Sequence, residues 1–223
     1  MGDVVDGGFL KSFGMVLMSE IGDKTFFIAC ILAMRHPRAK VLIGSLGALV
    51  LMTILSAGMG WAAPNLISKF YTNLAATLLF LFFGGRLLLD SYRMDASENW
   101  GELAEVEEEL KDHNSKEKKK DKKRGLQRRL GAIVDPVILE AFSLTFLAEW
   151  GDRSQLATIG LAAQASIVGV TLGGILGHSI CTTVAVMGGR HFATQLSERM
   201  VGLCGGVMFL LFGLHSILYP ETD

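Results

Sequence analysis

A chain of 223 residues with 21 Lys+Arg against 22 Asp+Glu has a formal net charge of −1, and 50% of it is apolar. That balance excludes a basic nucleic-acid binder and an acidic disordered tail, and a mean hydropathy of +0.41 is high for a soluble domain of this size. Residues 91–135 hold 22 of the 43 charged side chains, so two apolar halves flank one charged segment. This is the pattern of an all-α polytopic membrane protein.

In chain order, residues 1–8 form a short N-terminal segment with neither a basic n-region nor a cleavage pattern, so no secretory signal peptide is expected. Six apolar stretches follow, at 9–34, 41–61, 73–89, 137–163, 167–187 and 200–219. A bilayer core needs about 20 helical residues, so each reads as a transmembrane helix. The breaks carry loop chemistry: Arg35-His36-Pro37-Arg38, Ala63-Pro64-Asn65, Asp135-Pro136 and Gly188-Gly189-Arg190. The expected organisation is a first three-helix unit over 9–90, a charged linker over 91–135, a second three-helix unit over 136–219, and a short terminus over 220–223. On the side where the first span ends, the loops hold sixteen Lys/Arg; the opposite side holds Lys11 and Lys69. Without the bulky linker the short loops still give five against two. The bias makes the linker side cytosolic and both termini lumenal or external.

The halves repeat each other at one constant offset: Phe13 meets Phe142, Glu20 meets Glu149, Gly22 meets Gly151, Asp23 meets Asp152, Gly44 meets Gly173, and Phe80-Leu81-x-Phe83-Gly84 meets Phe209-Leu210-x-Phe212-Gly213. A single offset serves the whole unit, as in an internal duplication. Three spans per unit is an odd number, so the second copy enters the membrane from the opposite face. Two inverted three-helix repeats are a transporter architecture, with the site expected at the midplane between them.

The first and fourth spans carry charge near their centres, in Ser19-Glu20-Ile21-Gly22-Asp23-Lys24-Thr25 and Ala148-Glu149-Trp150-Gly151-Asp152-Arg153-Ser154-Gln155. One charge at the bilayer centre costs about 2.5–3.5 kcal/mol on insertion scales, and six unpaired ones on the order of 15–20 kcal/mol. Such groups need internal partners. Glu and Asp at i, i+3 lie on one helix face, and Lys24 and Arg153 stand i, i+4 from Glu20 and Glu149, the favourable order for charge balance. The two-fold axis then brings Glu20, Asp23, Glu149 and Asp152 face to face, with the oxygens of Thr25, Ser154 and Gln155 nearby. Hard oxygen ligands suit Ca²⁺, Mn²⁺ or Mg²⁺ and do not select copper or zinc. Four negative and two positive groups leave a charge that one divalent cation matches. Burial and neighbouring carboxylates both favour the neutral acid, so an ion-free site is expected to hold protons that cation binding expels, the basis of cation/proton exchange.

Two E-x-G-D-[KR]-[TS] motifs, one per half, resemble those of the Golgi and chloroplast manganese/calcium cation–proton exchanger family (uncharacterised protein family 0016), and the strings Ser19 to Arg35 and Leu147 to Ala163 look like its eukaryotic Golgi-type members. The resemblance covers nearly all of residues 9–219. It implies export of Mn²⁺, and often Ca²⁺, from the cytosol against protons, into a Golgi lumen where manganese-dependent glycosyltransferases use it. It implies as site residues Glu20, Asp23, Lys24 and Thr25, then Glu149, Asp152, Arg153 and Ser154, with Gln155 following the second motif. The absence of a further N-terminal hydrophobic segment favours the endomembrane system over the chloroplast. Divalent cations, protons and the bilayer are the expected partners, with no nucleic acid and no resident cofactor; homo-oligomerisation stays open.

Other features carry less. Cys30, Cys181 and Cys204 are odd in number and far apart, so packing is expected rather than a disulfide framework or structural zinc. His178 and Cys181 stand i, i+3 in the fifth span and read as packing plus a hydrogen bond, ahead of a soft metal pair. His215 occupies the position of Arg86, near helix ends where proton access is one role. Gly169, Gly173 and Gly177 allow tight helix contact. In the linker, Leu103, Val106 and Leu110 form a thin apolar stripe, so a short helix is expected over 102–111. The linker's turn from acidic to basic reads as solvated, with lipid or cation contact as the sharper alternative. An amine exporter would not need four carboxylates, and an intramembrane metalloenzyme would need a motif such as H-E-x-x-H, which is absent, so no enzyme is expected. A Ca²⁺- or Mg²⁺-selective carrier of the same fold remains the alternative, since hard-ligand chemistry alone does not separate these ions.

Overall fold

The computed structural model describes residues 2–66, 68–93, 106–108, 110, 135–193 and 198–218. The principal elements in chain order are helices: α1 (Gly2–Glu20), α2 (Lys24–Arg35), α3 (Arg38–Leu66), α4 (Lys69–Arg93), α5 (Pro136–Glu149), α6 (Arg153–Ala162), α7 (Ile167–Ala193) and α8 (Glu198–Leu218). Among the described residues, four are long and apolar enough to cross a membrane: α3 over Arg38–Pro64, α4 over Phe70–Arg93, α7 over Ile167–Gly188 and α8 over Arg199–Leu218. Leu74, Leu78 and Phe82 of α4 and Val207, Leu211, Leu214 and Leu218 of α8 point outward and are exposed. An apolar exterior of this kind suits lipid contact and would be a liability in water. The protein is an all-helical, polytopic membrane protein.

The two remaining expected spans, 9–34 and 137–163, are not continuous. Each is two helices meeting at a break: α1 stops at Glu20 and α2 starts at Lys24, while α5 stops at Glu149 and α6 starts at Arg153. The cause is local. Gly22 and Gly151 both adopt φ of 83°, a left-handed conformation that only glycine reaches without strain. Asp23 (φ −83°, ψ 168°) and Asp152 (φ −73°, ψ 175°) then take the extended N-cap conformation that opens the next helix. Other boundaries shift too: α1 begins at Gly2, inside the expected terminal segment, and α7 runs to Ala193, through the break expected at Gly188-Gly189-Arg190. Helix α3 carries Pro64 in its last turn and runs to Leu66, where a loop was expected. Helix α4 spans Lys69–Arg93, longer than the expected 73–89.

Close backbone approach sets the packing, and equivalent positions do it in both halves. A Cβ on Gly44 of α3 would strike the Ile138 carbonyl and Phe142 amide of α5, and one on Gly173 of α7 would strike the Phe9 carbonyl and Phe13 amide of α1. Gly44 and Gly173, Phe9 and Ile138, and Phe13 and Phe142 are counterparts at the same offset that relates Glu20 to Glu149. Gly84 of α4 faces the Leu210 backbone of α8 while Gly213 of α8 faces Leu81 of α4. Small residues at these crossings let helices approach closely where no hydrophobic effect drives them together.

Two apolar clusters flank the breaks. One gathers Phe26 to Ala33 of α2 with Val41, Ala141, Ala185 and Val186; the other gathers Met15, Val16, Ala57, Phe80, Leu161 and Phe209. Part of the linker docks here too. Val106 and Leu110 are buried in the first cluster, so this stretch leaves solvent, and residues 106–108 and 110 are helical as the stripe predicts. Leu103, the acidic-to-basic turn and the 220–223 terminus lie outside the described residues.

Candidate cation site

The breaks place Glu20 at the C-terminal end of α1 and Glu149 at the C-terminal end of α5. Both side chains are buried, each residue 2% exposed. The Thr25 hydroxyl donates to Glu20 Oε1 at 2.5 Å, and the Ser154 hydroxyl donates to Glu149 Oε1 at 2.6 Å. Each hydroxyl sits in the first turn of the following helix, so the break folds the chain back onto its own glutamate. The remaining oxygens, Glu20 Oε2 and Glu149 Oε2, are buried with no hydrogen-bond partner. Two buried carboxylates beside the negative ends of two helix dipoles call for positive charge at this point.

His178 of α7 joins them. Its Nδ1 is 3.5 Å from Glu20 Oε2, and ligand atoms of Glu20, Glu149 and His178 all lie within 4.8 Å of one another. Sequence reasoning assigned His178 to packing plus a hydrogen bond; it is buried, and its Nδ1 turns to the carboxylate of Glu20. The available signal was an ionisable side chain inside an apolar span, which by itself marks a functional candidate.

Asp152 stays close to this inner group: the Ser154 hydroxyl that bonds Glu149 Oε1 also lies 3.3 Å from Asp152 Oδ1. Because the helix breaks between them, Glu20 and Asp23 do not share a helix face, nor do Glu149 and Asp152; the i, i+3 expectation fails on that backbone turn. Asp23 and Asp152 instead line a cavity of about 430 Å³, together with Ser19, Arg153, Arg86 and Asp90. Asp152 caps α6, accepting from the amides of Ser154 (3.1 Å) and Gln155 (2.7 Å). Gln155 Oε1 accepts from the Gly151 amide at 2.6 Å and so braces the turn. Arg153 Nη2 stands 3.7 Å from Asp23 Oδ1, a pairing across the repeats rather than the i, i+4 bridge expected within one helix. Lys24 follows the same break and lines a different cavity of about 390 Å³, with Ile28, Val106, Leu110 and Leu147. Arg86 pairs with Asp90 at 3.5 Å on the wall of the larger cavity. Cys30 and Cys181 are buried free thiols, and Cys30 donates to the Ala185 carbonyl.

At the linker end of α5, Asp135 caps the helix by accepting from the Val137 amide at 3.0 Å and binds Lys40 Nζ at 2.6 Å. The Lys40 hydrogen bond is the main reason the Asp135 carboxyl is held below its ordinary range.

Comparison with known sequences shows the family. Residues 8–95 and 137–223 match the family described as divalent cation/proton antiporter GDT1. The chain belongs to the GDT1 family. It is 51% identical to GDT1-like protein 5 of Arabidopsis thaliana, over 99% of each chain, and 52% identical to GDT1-like protein 5 of Oryza sativa subsp. japonica, over 97% of each. GDT1-like protein 3 of Arabidopsis thaliana is 49% identical over 94% of this chain and 70% of its own length. No solved structure matches. The two matched segments each contain one Glu-x-Gly-Asp break, and most of the charged linker falls between them. GDT1 membership makes divalent cations and protons the transported species and is consistent with a protein that is not an enzyme.

Proposed function

We propose that this GDT1-family chain exchanges Mn²⁺, and Ca²⁺ as well, for protons. The cation passes from the cytosol into the lumen of an acidic secretory compartment, the Golgi being the expected one. The site is a midplane arrangement of four carboxylates: Glu20 and Glu149 inside, Asp23 and Asp152 at its mouth. Thr25 and Ser154 hold the glutamates in place, Gln155 braces one break, and Arg153 and Lys24 balance charge.

One observation carries this reading. Two buried glutamates from separate halves of the chain each give one oxygen to a local hydroxyl and keep a second oxygen that makes no hydrogen bond, and a carboxylate oxygen of each lies within 4.8 Å of the other and of His178. A divalent cation satisfies both oxygens at once, and protons satisfy them in its absence. Exchange follows because the two states exclude each other. Broken helices whose ends meet at a buried ion site recur in secondary transporters.

The architecture proposed is two inverted repeats over 9–90 and 136–219, joined by a cytosolic linker over 91–135, with six membrane crossings if each broken pair counts as one. Equivalent glycine crossings, breaks and hydroxyl–carboxylate bonds, all related by the one offset, support it. The cavity reaching Asp23 and Asp152 is walled by Arg86, Asp90 and Ser91 at the end of α4 and by Val201 and Gly202 at the start of α8. Both ends lie on the side rich in Lys and Arg, which supports cytosolic entry.

The test is reconstitution in liposomes with an acidic lumen, following Mn²⁺, Ca²⁺ and lumenal pH together. Cation entry matched by proton exit, and lost in a Glu20→Gln, Glu149→Gln double variant, is the expected result. Entry without proton movement would reduce the protein to a uniporter, and no entry of either ion would sink the proposal.

A further inference from the structure

We propose that His178 Nδ1 is a direct ligand of the transported cation and sets the preference for Mn²⁺ over Ca²⁺; this rests on the antiporter reading above. Among the described residues, four buried side-chain N or O atoms lack a hydrogen-bond partner: Glu20 Oε2, Glu149 Oε2, His178 Nδ1 and Ser56 Oγ. The two glutamates and the histidine converge on one point, with ligand atoms within 4.8 Å of one another. Glu20 Oε2 and His178 Nδ1 approach to 3.5 Å without a hydrogen bond, and Glu149 Oε2 has none either. Buried polar atoms are seldom left so, and a convergent set of two carboxylates and one imidazole calls for a common partner. The chemistry of that partner follows from the donors. A water would suit any polar pocket, but two acidic oxygens and an imidazole nitrogen together favour a cation.

The nitrogen then discriminates. Ca²⁺ takes oxygen ligands almost exclusively and prefers many of them. Mn²⁺ accepts carboxylate and also binds imidazole, and it stands on the transition-metal affinity series on which nitrogen donors act. With oxygen donors alone, the two ions would be separated mainly by cavity size. Only one half supplies such a group. In the first half the counterpart of His178, at the offset that pairs Glu20 with Glu149, is Leu49, which is buried and has no donor atom. The inner site therefore departs from two-fold symmetry where a nitrogen donor enters, and a structural role repeated by the duplication does not account for it.

Two measurements test this on the full-length protein. In proteoliposomes, His178→Gln replaces the nitrogen donor by an amide oxygen and His178→Leu removes it. The ratio of Mn²⁺ to Ca²⁺ uptake is expected to fall by about ten- to a hundredfold in both, since removing even outer-shell partners of a metal costs that much. An unchanged ratio in variants that still transport would overturn the proposal. Second, purified wild-type protein loaded with less than one equivalent of Mn²⁺ is expected to show nitrogen-14 modulation in its electron spin echo, absent from the Glu20→Gln, Glu149→Gln variant. Bound Mn²⁺ without nitrogen modulation in the wild type would overturn the proposal even if the His178 variants fail to fold. Wild-type protein that moves neither ion would instead overturn the antiporter reading itself.

Discussion

Glu20 and Glu149 occupy the same place in two copies of one turn. Each closes a helix, each accepts the hydroxyl of the residue five positions on, and each keeps a second oxygen without a hydrogen bond, with the two carboxylates within 4.8 Å of one another. The relationship depends on the glycine between the acids, because an unbroken helix would send the hydroxyl to another face.

The hydroxyls are therefore expected to matter for cation affinity. Thr25→Val and Ser154→Ala each remove a hydrogen bond to a charged group, worth about 1.5–3 kcal/mol, which corresponds to a loss of about tenfold or more in affinity. Thr25→Ser keeps the donor and should retain near-normal binding. Isothermal titration of Mn²⁺ into detergent-solubilised protein checks this, and equal affinities for Thr25→Val and Thr25→Ser would contradict it.

Gly22 and Gly151 should tolerate no side chain. Alanine at a left-handed position costs about 1–2 kcal/mol. The strain is expected at both sites although there is room: a Cβ on Gly151 would meet no atom within 4 Å, and one on Gly22 would meet only Val201. Both variants should melt lower and transport more slowly, because relaxing φ moves the glutamate away from its hydroxyl. Thermal unfolding measured alongside uptake would show the two losses together.

Crossing glycines give a matched control. Gly44→Ala and Gly173→Ala push a methyl into backbone atoms of the facing helix, while Gly58→Ala and Gly85→Ala meet nothing within 4 Å. Overpacking costs about 1–3 kcal/mol, so the first pair should lose stability, and the second pair should hold or gain up to about 1 kcal/mol from helix propensity. Melting temperatures of the four variants in one detergent decide it.

Asp135 gives the pH dependence. Its carboxyl is held below the usual aspartate value of 3.8, chiefly by Lys40. A depressed folded-state value means the bridge contributes fully above the unfolded value and is lost as pH falls through the lower folded value. Acid stability below about pH 4 should therefore drop more steeply in the wild type than in Asp135→Asn. Superimposable acid-unfolding curves for the two would remove Asp135 from the account.

Much of this was legible in the chain. The apolar stretches locate α3, α4, α7 and α8 because a lipid-facing helix must be apolar over its whole length, and length and hydropathy are local properties. The repeat is legible for the same reason: a constant offset between matching residues can be read without coordinates. The breaks were harder. A glycine inside an apolar run is tolerated in many membrane helices, and only the backbone angle at Gly22 and Gly151 shows that the chain turns there. Once it turns, Arg153 pairs with Asp23 of the other half, and spacing rules for a continuous helix no longer apply.

By itself the sequence determined the class of the protein, its two related halves and the acids at their centres, since composition, periodicity and duplication are properties of the chain alone. Tertiary structure decided which atoms meet. It broke the helix between Glu20 and Asp23 and between Glu149 and Asp152, paired Arg153 with Asp23, and brought His178 of α7 to glutamates that close α1 and α5. Those contacts depend on how α1, α5 and α7 pack and where two helices stop, and no local pattern encodes a distance between separate helices.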